Sequence, residues 1–107
     1  MQIKPEHWYC GFRTKEIDSE KLNEIFEQVL LDAKITIVGS HVCNYEGGGD
    51  GFTLIFFLGE SHLAITVYPE CGETFIELSC CNQEMFDNFV AIVRSRNLGY
   101  GLVFSKV

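Results

Sequence analysis

Three stretches of this sequence hold residue types capable of chemistry beyond packing. Gly59-Glu60-Ser61-His62 sets a carboxylate, a hydroxyl and an imidazole side by side where a long apolar run stops. Ser61 alone reads equally as an ordinary turn residue at a strand end. The five cysteines are Cys10, Cys43, Cys71, Cys80 and Cys81. Their odd number, with no C-x-x-C pair and no His cluster at zinc-ligand spacing, does not describe a disulfide framework or a zinc site. No metal is expected. Each cysteine taken singly reads as a small buried hydrophobe. Cys80 and Cys81 are adjacent, so on a strand they face opposite sides and at most one enters a given pocket. The third stretch, Asn44 to Gly51, has four glycines in its last five residues. It fits a flexible hairpin connection, or a loop whose backbone lies against a ligand. It is no phosphate loop, because it lacks the Lys-Ser/Thr pair and no helix follows.

The chain that carries these residues has 107 of them, the length of one domain, 1–107. Its formal charge is −7, from 8 basic and 15 acidic side chains. That balance argues against duplex nucleic acid, which needs Lys and Arg to displace counterions, and suits cationic ligands. The composition is 47% hydrophobic, with nine Phe, four Tyr and one Trp, enough for a packed core and against disorder. A core this small is thin, which favours further burial in an oligomer. No apolar run approaches the ~18 residues of a membrane span, and MQIKPEHWYC has no signal-peptide core. These features point to a soluble, cytoplasmic protein with no membrane partner.

Periodicity supplies the elements that must position the candidate residues. His7–Phe12 is aromatic-rich and predicts a first strand. Leu22, Ile25, Phe26, Val29 and Leu30 recur at helical spacing after Asp18-Ser19, which predicts a helix over 19–33. Ile35–Val38 is β-branched and predicts a second strand. Phe52–Leu58 is almost wholly apolar and predicts a strand buried on both faces. Leu63–Tyr68 and Thr74–Ser79 predict two more, with Cys71-Gly72 as a turn. In the second, Phe75 and Glu77 alternate with Ile76 and Leu78. Asn82 is the expected N-cap of a second helix through Met85, Phe86, Phe89, Ile92 and Val93, with Gly99 at its C′ position. Tyr100–Phe104 closes the series. The order β-α-β-β-β-β-α-β, with short links between consecutive strands, predicts an α+β two-layer sandwich: an antiparallel sheet with two helices on one face.

The stretch from Gly59 to Cys81 resembles the prokaryotic S-adenosylmethionine decarboxylase family. Glu60-Ser61-His62 ends an apolar strand, the next strand closes in Tyr68-Pro69-Glu70, and the strand after a turn reaches Cys81. The Gly-rich approach GGGDGFTLIFFL and the element order fit as well, so the resemblance covers nearly the whole chain. It implies a pyruvoyl-dependent decarboxylase of S-adenosylmethionine that feeds polyamine (spermidine) synthesis. In such a protein the Ser61 hydroxyl attacks the carbonyl of Glu60, the amide becomes an ester, and elimination cuts the chain. Ser61 then becomes the pyruvoyl cofactor, which holds the substrate amine as a Schiff base and takes up electrons as CO₂ leaves. The resemblance makes Cys81 the proton donor and Glu70 the acid on the ribose hydroxyls. Tyr68 and Tyr45 become walls for adenine or the sulfonium; Tyr68 alone reads equally as a strand-end core aromatic. Thr53 fits the Ser/Thr position on the preceding strand.

One position departs from the pattern. Family members carry a His five residues after the cleaved Ser, tied to self-processing, and here it is Thr66. A Thr hydroxyl is no base near neutral pH; His62 and His41 are the available substitutes. Two other readings follow. The chain is an unprocessed homologue that binds a nucleoside ligand or regulates a partner subunit, or it decarboxylates ornithine or arginine. The apolar strands leave a second sheet face to cover, which predicts a homodimer through that face with sites at or near the interface.

Overall fold

The structure, a computed structural model, describes residues 6–44 and 51–106. It contains β1 (Trp8–Thr14), α1 (Ser19–Asp32), β2 (Gly39–Asn44), β3 (Phe52–Phe57), β4 (His62–Tyr68), β5 (Glu73–Cys80), α2 (Gln83–Ser95) and β6 (Tyr100–Lys106). A 3₁₀ turn at Pro69–Cys71 joins β4 to β5, with Gly72 in the left-handed conformation at φ 65°. The strands form one six-stranded sheet in the order β2-β3-β4-β5-β1-β6. Every neighbouring pair is antiparallel. β1 therefore lies between β5 and β6, far in sequence from both.

Both helices cover the same sheet face, as the patterning predicts. Phe12 of β1 is 1% exposed, and its ring lies 6.0 Å from that of Phe26 in α1 and 6.4 Å from that of Phe89 in α2. Alternate residues of the central strands join this core, among them Leu54, Phe56, Ile65 and Ile76. Each Phe or Ile so buried contributes about 1.5–3 kcal/mol of transfer free energy. Asp18 caps α1 by accepting from the N–H groups of Glu20 and Lys21, and Asn82 caps α2 by accepting from that of Met85. Among the described residues no helix is long and apolar enough to cross a membrane.

Three sequence expectations are corrected. The second strand is Gly39–Asn44, not Ile35–Val38. Lys34 takes φ 63°, and Ile35 N–H donates back to the Leu30 carbonyl in a Schellman ending of α1, so Ile35 is spent on capping and core burial. The ladder starts only where Val38 N–H meets the Phe57 carbonyl at 2.7 Å. At the end of α2, Asn97 and not Gly99 occupies the left-handed position, with φ 52°. Gly99 answers another need, since a Cβ there would lie 2.5 Å from the Arg13 carbonyl oxygen. Finally, β3 is apolar on both faces but buried on one: Phe52, Leu54 and Phe56 point inward, while Phe57 is 45% exposed.

The uncovered face of the sheet is mixed in character. Strand register lays Phe57, His62, Ser79 and Tyr9 in one row across it. The next row is His41, Ile55, Ala64, Glu77 and Gly11. The third is Cys43, Thr53, Thr66, Phe75 and Arg13. Phe75 and Glu77 face this side and Ile76 and Leu78 the core, as predicted.

Candidate active site

A two-residue turn joins β3 to β4. Leu58 N–H donates to the Ser61 carbonyl at 2.9 Å, and Gly59 takes φ 79°. Glycine at the first central position with positive φ is the pattern of a type II′ hairpin, whose twist matches the flanking strands. Nothing lies within 4 Å of a Cβ built on Gly59, so backbone conformation rather than space selects glycine. The turn brings Glu60 out to solvent and Ser61 in, where it is 8% exposed.

Ser61 meets Cys81 directly beyond the end of β5. The Cys81 N–H donates to Ser61 Oγ at 3.3 Å, and Cys81 Sγ lies 3.6 Å from the same oxygen. The thiol in turn reaches Glu60 Oε2 at 4.0 Å. Cys80 turns the other way into the core, 2% exposed, with its thiol on the Asn82 carbonyl. The adjacent cysteines diverge as strand alternation requires. Cys10 is also a core residue, and burial pushes its thiol up to about 12. Cys43 and Cys71 are exposed, against the expectation of burial: one lies on the uncovered face of the edge strand β2, the other in the 3₁₀ turn.

The other expected residues lie elsewhere on the protomer. His62 is exposed at the start of β4, across from Ser79. Thr53 and Thr66 are direct cross-strand partners in the middle of the open face. Thr66 is four positions beyond His62, roughly 13 Å at the rise of a strand. Tyr68 is 42% exposed at the far end of β4, roughly 20 Å from His62 by the same rise, with exposed Glu70 in the turn after it. Tyr68 lines a cavity of about 280 Å³ with Arg13, Cys71, Glu73, Thr74 and Phe75. Tyr45 lies outside the described residues. One protomer thus joins Glu60, Ser61 and Cys81, and holds Thr53, Thr66, Tyr68 and Glu70 apart from them. His41 is exposed on edge strand β2, two strands from β4.

Two polar pairs on the open face were not legible as site residues. His7 Nε2 lies 2.7 Å from Ser79 Oγ, beside His62. Tyr9 donates its hydroxyl to Glu77 Oε2 at 2.8 Å, and desolvation together with that carboxylate pushes the phenol up to about 12. Gly11 leaves room for this pair, since a Cβ there would meet Tyr9 Oη at 2.8 Å. At the far end, a hydrogen bond from Tyr100 and then Arg13 hold the Glu73 carboxyl below its usual range. No local pattern marks these contacts, whose partners are 27 to 72 residues apart.

The fold and the serine–thiol pair define a two-layer α+β protein with a serine-bearing hairpin turn set against a cysteine. The sequence model of the S-adenosylmethionine decarboxylase family matches residues 6–99, and the chain belongs to that family. The S-adenosylmethionine decarboxylase proenzyme of Moorella thermoacetica is 28% identical over 83 residues, 78% of this chain. The match spans 64% of that relative's length. The crystal structure of the adenosylmethionine decarboxylase from Aquifex aeolicus superposes with a TM-score of 0.65 at 18% identity. It covers 95% of this chain and 87% of that one, and shares its fold.

Proposed function

We propose that this protein is a pyruvoyl-dependent decarboxylase of S-adenosylmethionine, made as a precursor that cuts itself between Glu60 and Ser61 and serving polyamine synthesis in the cytoplasm. The observation that carries the reading is the hold on Ser61. Its oxygen is nearly buried, receives a backbone N–H at 3.3 Å and touches a thiol at 3.6 Å, at the first residue after a tight turn. An N–H aimed at a hydroxyl stabilises negative charge on that oxygen, which attack on the neighbouring carbonyl needs. Ser61 so placed fits conversion to a pyruvoyl group, which supplies an electron sink for loss of CO₂ from an α-amino acid.

The chain's own residues do the rest. Cys81 is the acid that returns a proton to the substrate carbon, because its thiol is the ionisable group already at the Ser61 position. Glu70 offers two acceptor oxygens to ribose hydroxyls, and Tyr68 an exposed ring face to a sulfonium. These two stand at the other end of β4 from Ser61, so a complete site needs a second protomer. A face-to-face homodimer, with the far end of β4 in one protomer over the Ser61 end of its partner, supplies it. The half-buried Ile55 and Phe75 and the exposed Phe57 are the apolar surface such a dimer covers. Thr53 and Thr66 then face the partner's hairpin turn.

Intact mass tests the core of this reading. An active chain runs as two pieces, residues 1–60 and 61–107, the second reactive toward carbonyl reagents, and it releases labelled CO₂ from S-adenosylmethionine rather than from ornithine or arginine. A single uncut chain of 12.2 kDa that carbonyl reagents do not modify overturns it. One observation favours a second reading, an unprocessed homologue that binds a nucleoside or regulates a partner. Thr66 stands five residues after Ser61, where the resemblance calls for a His. Self-cleavage that appears only in Thr66→His selects that reading.

A further inference from the structure

The contacts of Cys81 define a direction for proton flow that no histidine enters. Ser61 Oγ accepts the Cys81 N–H, so its own proton is free to be donated. The Cys81 thiol carries one proton, and that proton points to Glu60 Oε2. Either atom can donate in the 3.6 Å contact between Ser61 Oγ and Sγ; with the thiol proton directed at Oε2 across 4.0 Å, Sγ is left to accept from the Ser61 hydroxyl. The result is a single path, Ser61 O–H to Cys81 S–H to the Glu60 carboxylate. It closes on itself, because Glu60 supplies both the carboxylate at its end and the carbonyl carbon that Ser61 attacks.

Building on the self-cleavage reading above, we propose that the Glu60 side chain is the terminal proton acceptor of the ester-forming step of that cleavage, drawing the Ser61 hydroxyl proton away through Cys81. As Oγ bonds to the Glu60 carbonyl carbon, the hydroxyl proton passes to Sγ and the thiol proton passes to Oε2. The bond from that carbon to the Ser61 nitrogen then breaks, and the carboxyl returns the proton to the departing amine. An ester and a free amine replace the amide, with no net proton gained or lost and no outside reagent. For ester formation the arrangement needs a carboxylate at position 60 and a thiol at position 81, and asks nothing of His41 or His62; the elimination that follows removes the Ser61 Cα proton in a separate step.

Full-length precursor made by cell-free translation and followed by intact mass tests this. Wild type should be cut between Glu60 and Ser61. Glu60→Gln should slow the cut about 100-fold, the ordinary value of a positioned proton acceptor. Glu60→Asp should recover part of the rate, and formate in the buffer should recover part of it in Glu60→Ala. Hydroxylamine, which cleaves an accumulated ester, should add nothing to Glu60→Gln, because the ester does not form. Glu60 is exposed on a turn, so the variants should keep the wild-type unfolding temperature. The inference is overturned if Glu60→Gln cuts at the wild-type rate. It is equally overturned if hydroxylamine cleaves the slowed variant, or if neither Glu60→Asp nor formate restores any rate. An uncut wild type removes the self-cleavage reading and this inference with it, whereas a cut wild type with an indifferent Glu60 removes the inference alone.

Discussion

Cys81 touches Ser61 twice, through its backbone N–H at 3.3 Å and through its thiol at 3.6 Å, although 20 residues separate them in sequence. The two contacts ask different things of position 81. Any residue but proline donates the N–H, while only an ionisable side chain exchanges a proton. Replacing Cys81 by Ala should therefore leave Ser61 held in place and remove decarboxylation by roughly 10²–10⁴-fold, the span of a lost general acid. Because the thiol also serves ester formation, turnover is read per cut chain, with the cut fraction taken from intact mass. Decarboxylation at the wild-type rate in Cys81→Ala would exclude the thiol as the proton donor.

The proposed division of the site between the two ends of β4 predicts complementation. Cys81→Ala and Glu70→Ala should each be nearly inactive alone. Mixed and reassembled, they should recover about a quarter of wild-type turnover, since half of randomly formed dimers carry one intact site of two. Recovery of nothing would place a complete site within each protomer. Ile55→Glu on the open face, where the dimer is proposed to form, should shift sedimentation to one protomer mass and abolish turnover.

Phe12 is the ring on which both helices rest. Its replacement by Ala should cost about 3–5 kcal/mol, because the cavity opens where two layers meet. Denaturant unfolding reads this as a lower midpoint at unchanged slope.

The close pass of Gly99 under β1 gives a paired test. Gly99→Ala should destabilise by about 1–3 kcal/mol, as the new methyl must displace the Arg13 carbonyl or the Phe12 ring. Gly39→Ala, where nothing lies within 4 Å, should stay within about 0.5 kcal/mol of wild type.

Alkaline pH should weaken the fold through two groups. The folded state raises Cys10 from 9.0 to about 12, mainly by desolvation, and Tyr9 from 10.0 to about 12, by desolvation and Glu77. A raised acid is held protonated by the fold, so its stabilising contribution is complete below its unfolded value and lost as pH climbs to the folded one. Thermal midpoints should begin to fall above pH 9 and fall more steeply above pH 10. Tyr9→Phe should flatten the second part of that decline; an unchanged profile would count against the Tyr9–Glu77 contact.

Where a signal is local, the sequence carried it. The 3.6-residue spacing of Leu22, Phe26, Val29 and Leu30 marked α1, Asn82 marked the start of α2, and the stop of the apolar run at Gly59 marked the end of β3. Where a position is set by partners far along the chain, local pattern misled. Gly39–Asn44 has little strand-forming character, yet it pairs because β3 offers a free edge, while the β-branched Ile35–Val38 is diverted into a helix ending. The family resemblance implied a common site for Ser61 and Cys81, and the two are in contact. It could not report that Thr66, Tyr68 and Glu70 run away from them, because a strand of seven residues spans the breadth of the protein.

The sheet order has a consequence for any break in the backbone between Glu60 and Ser61. The piece before the break holds β1, β2 and β3, and the piece after it holds β4, β5 and β6. Because β1 lies between β5 and β6, the two pieces interlace like the fingers of clasped hands. Neither can leave without opening ladders on both sides of β1 as well as the β3–β4 ladder. Scission at the turn thus changes little in the native state and a great deal in the unfolded one. An uncut protomer refolds as a single chain; a cut one must first find its complement, so its melting temperature gains a further dependence on concentration. Under the proposed self-cleavage, folding comes first and scission second, which would make the cut a record that the sheet was once correctly assembled.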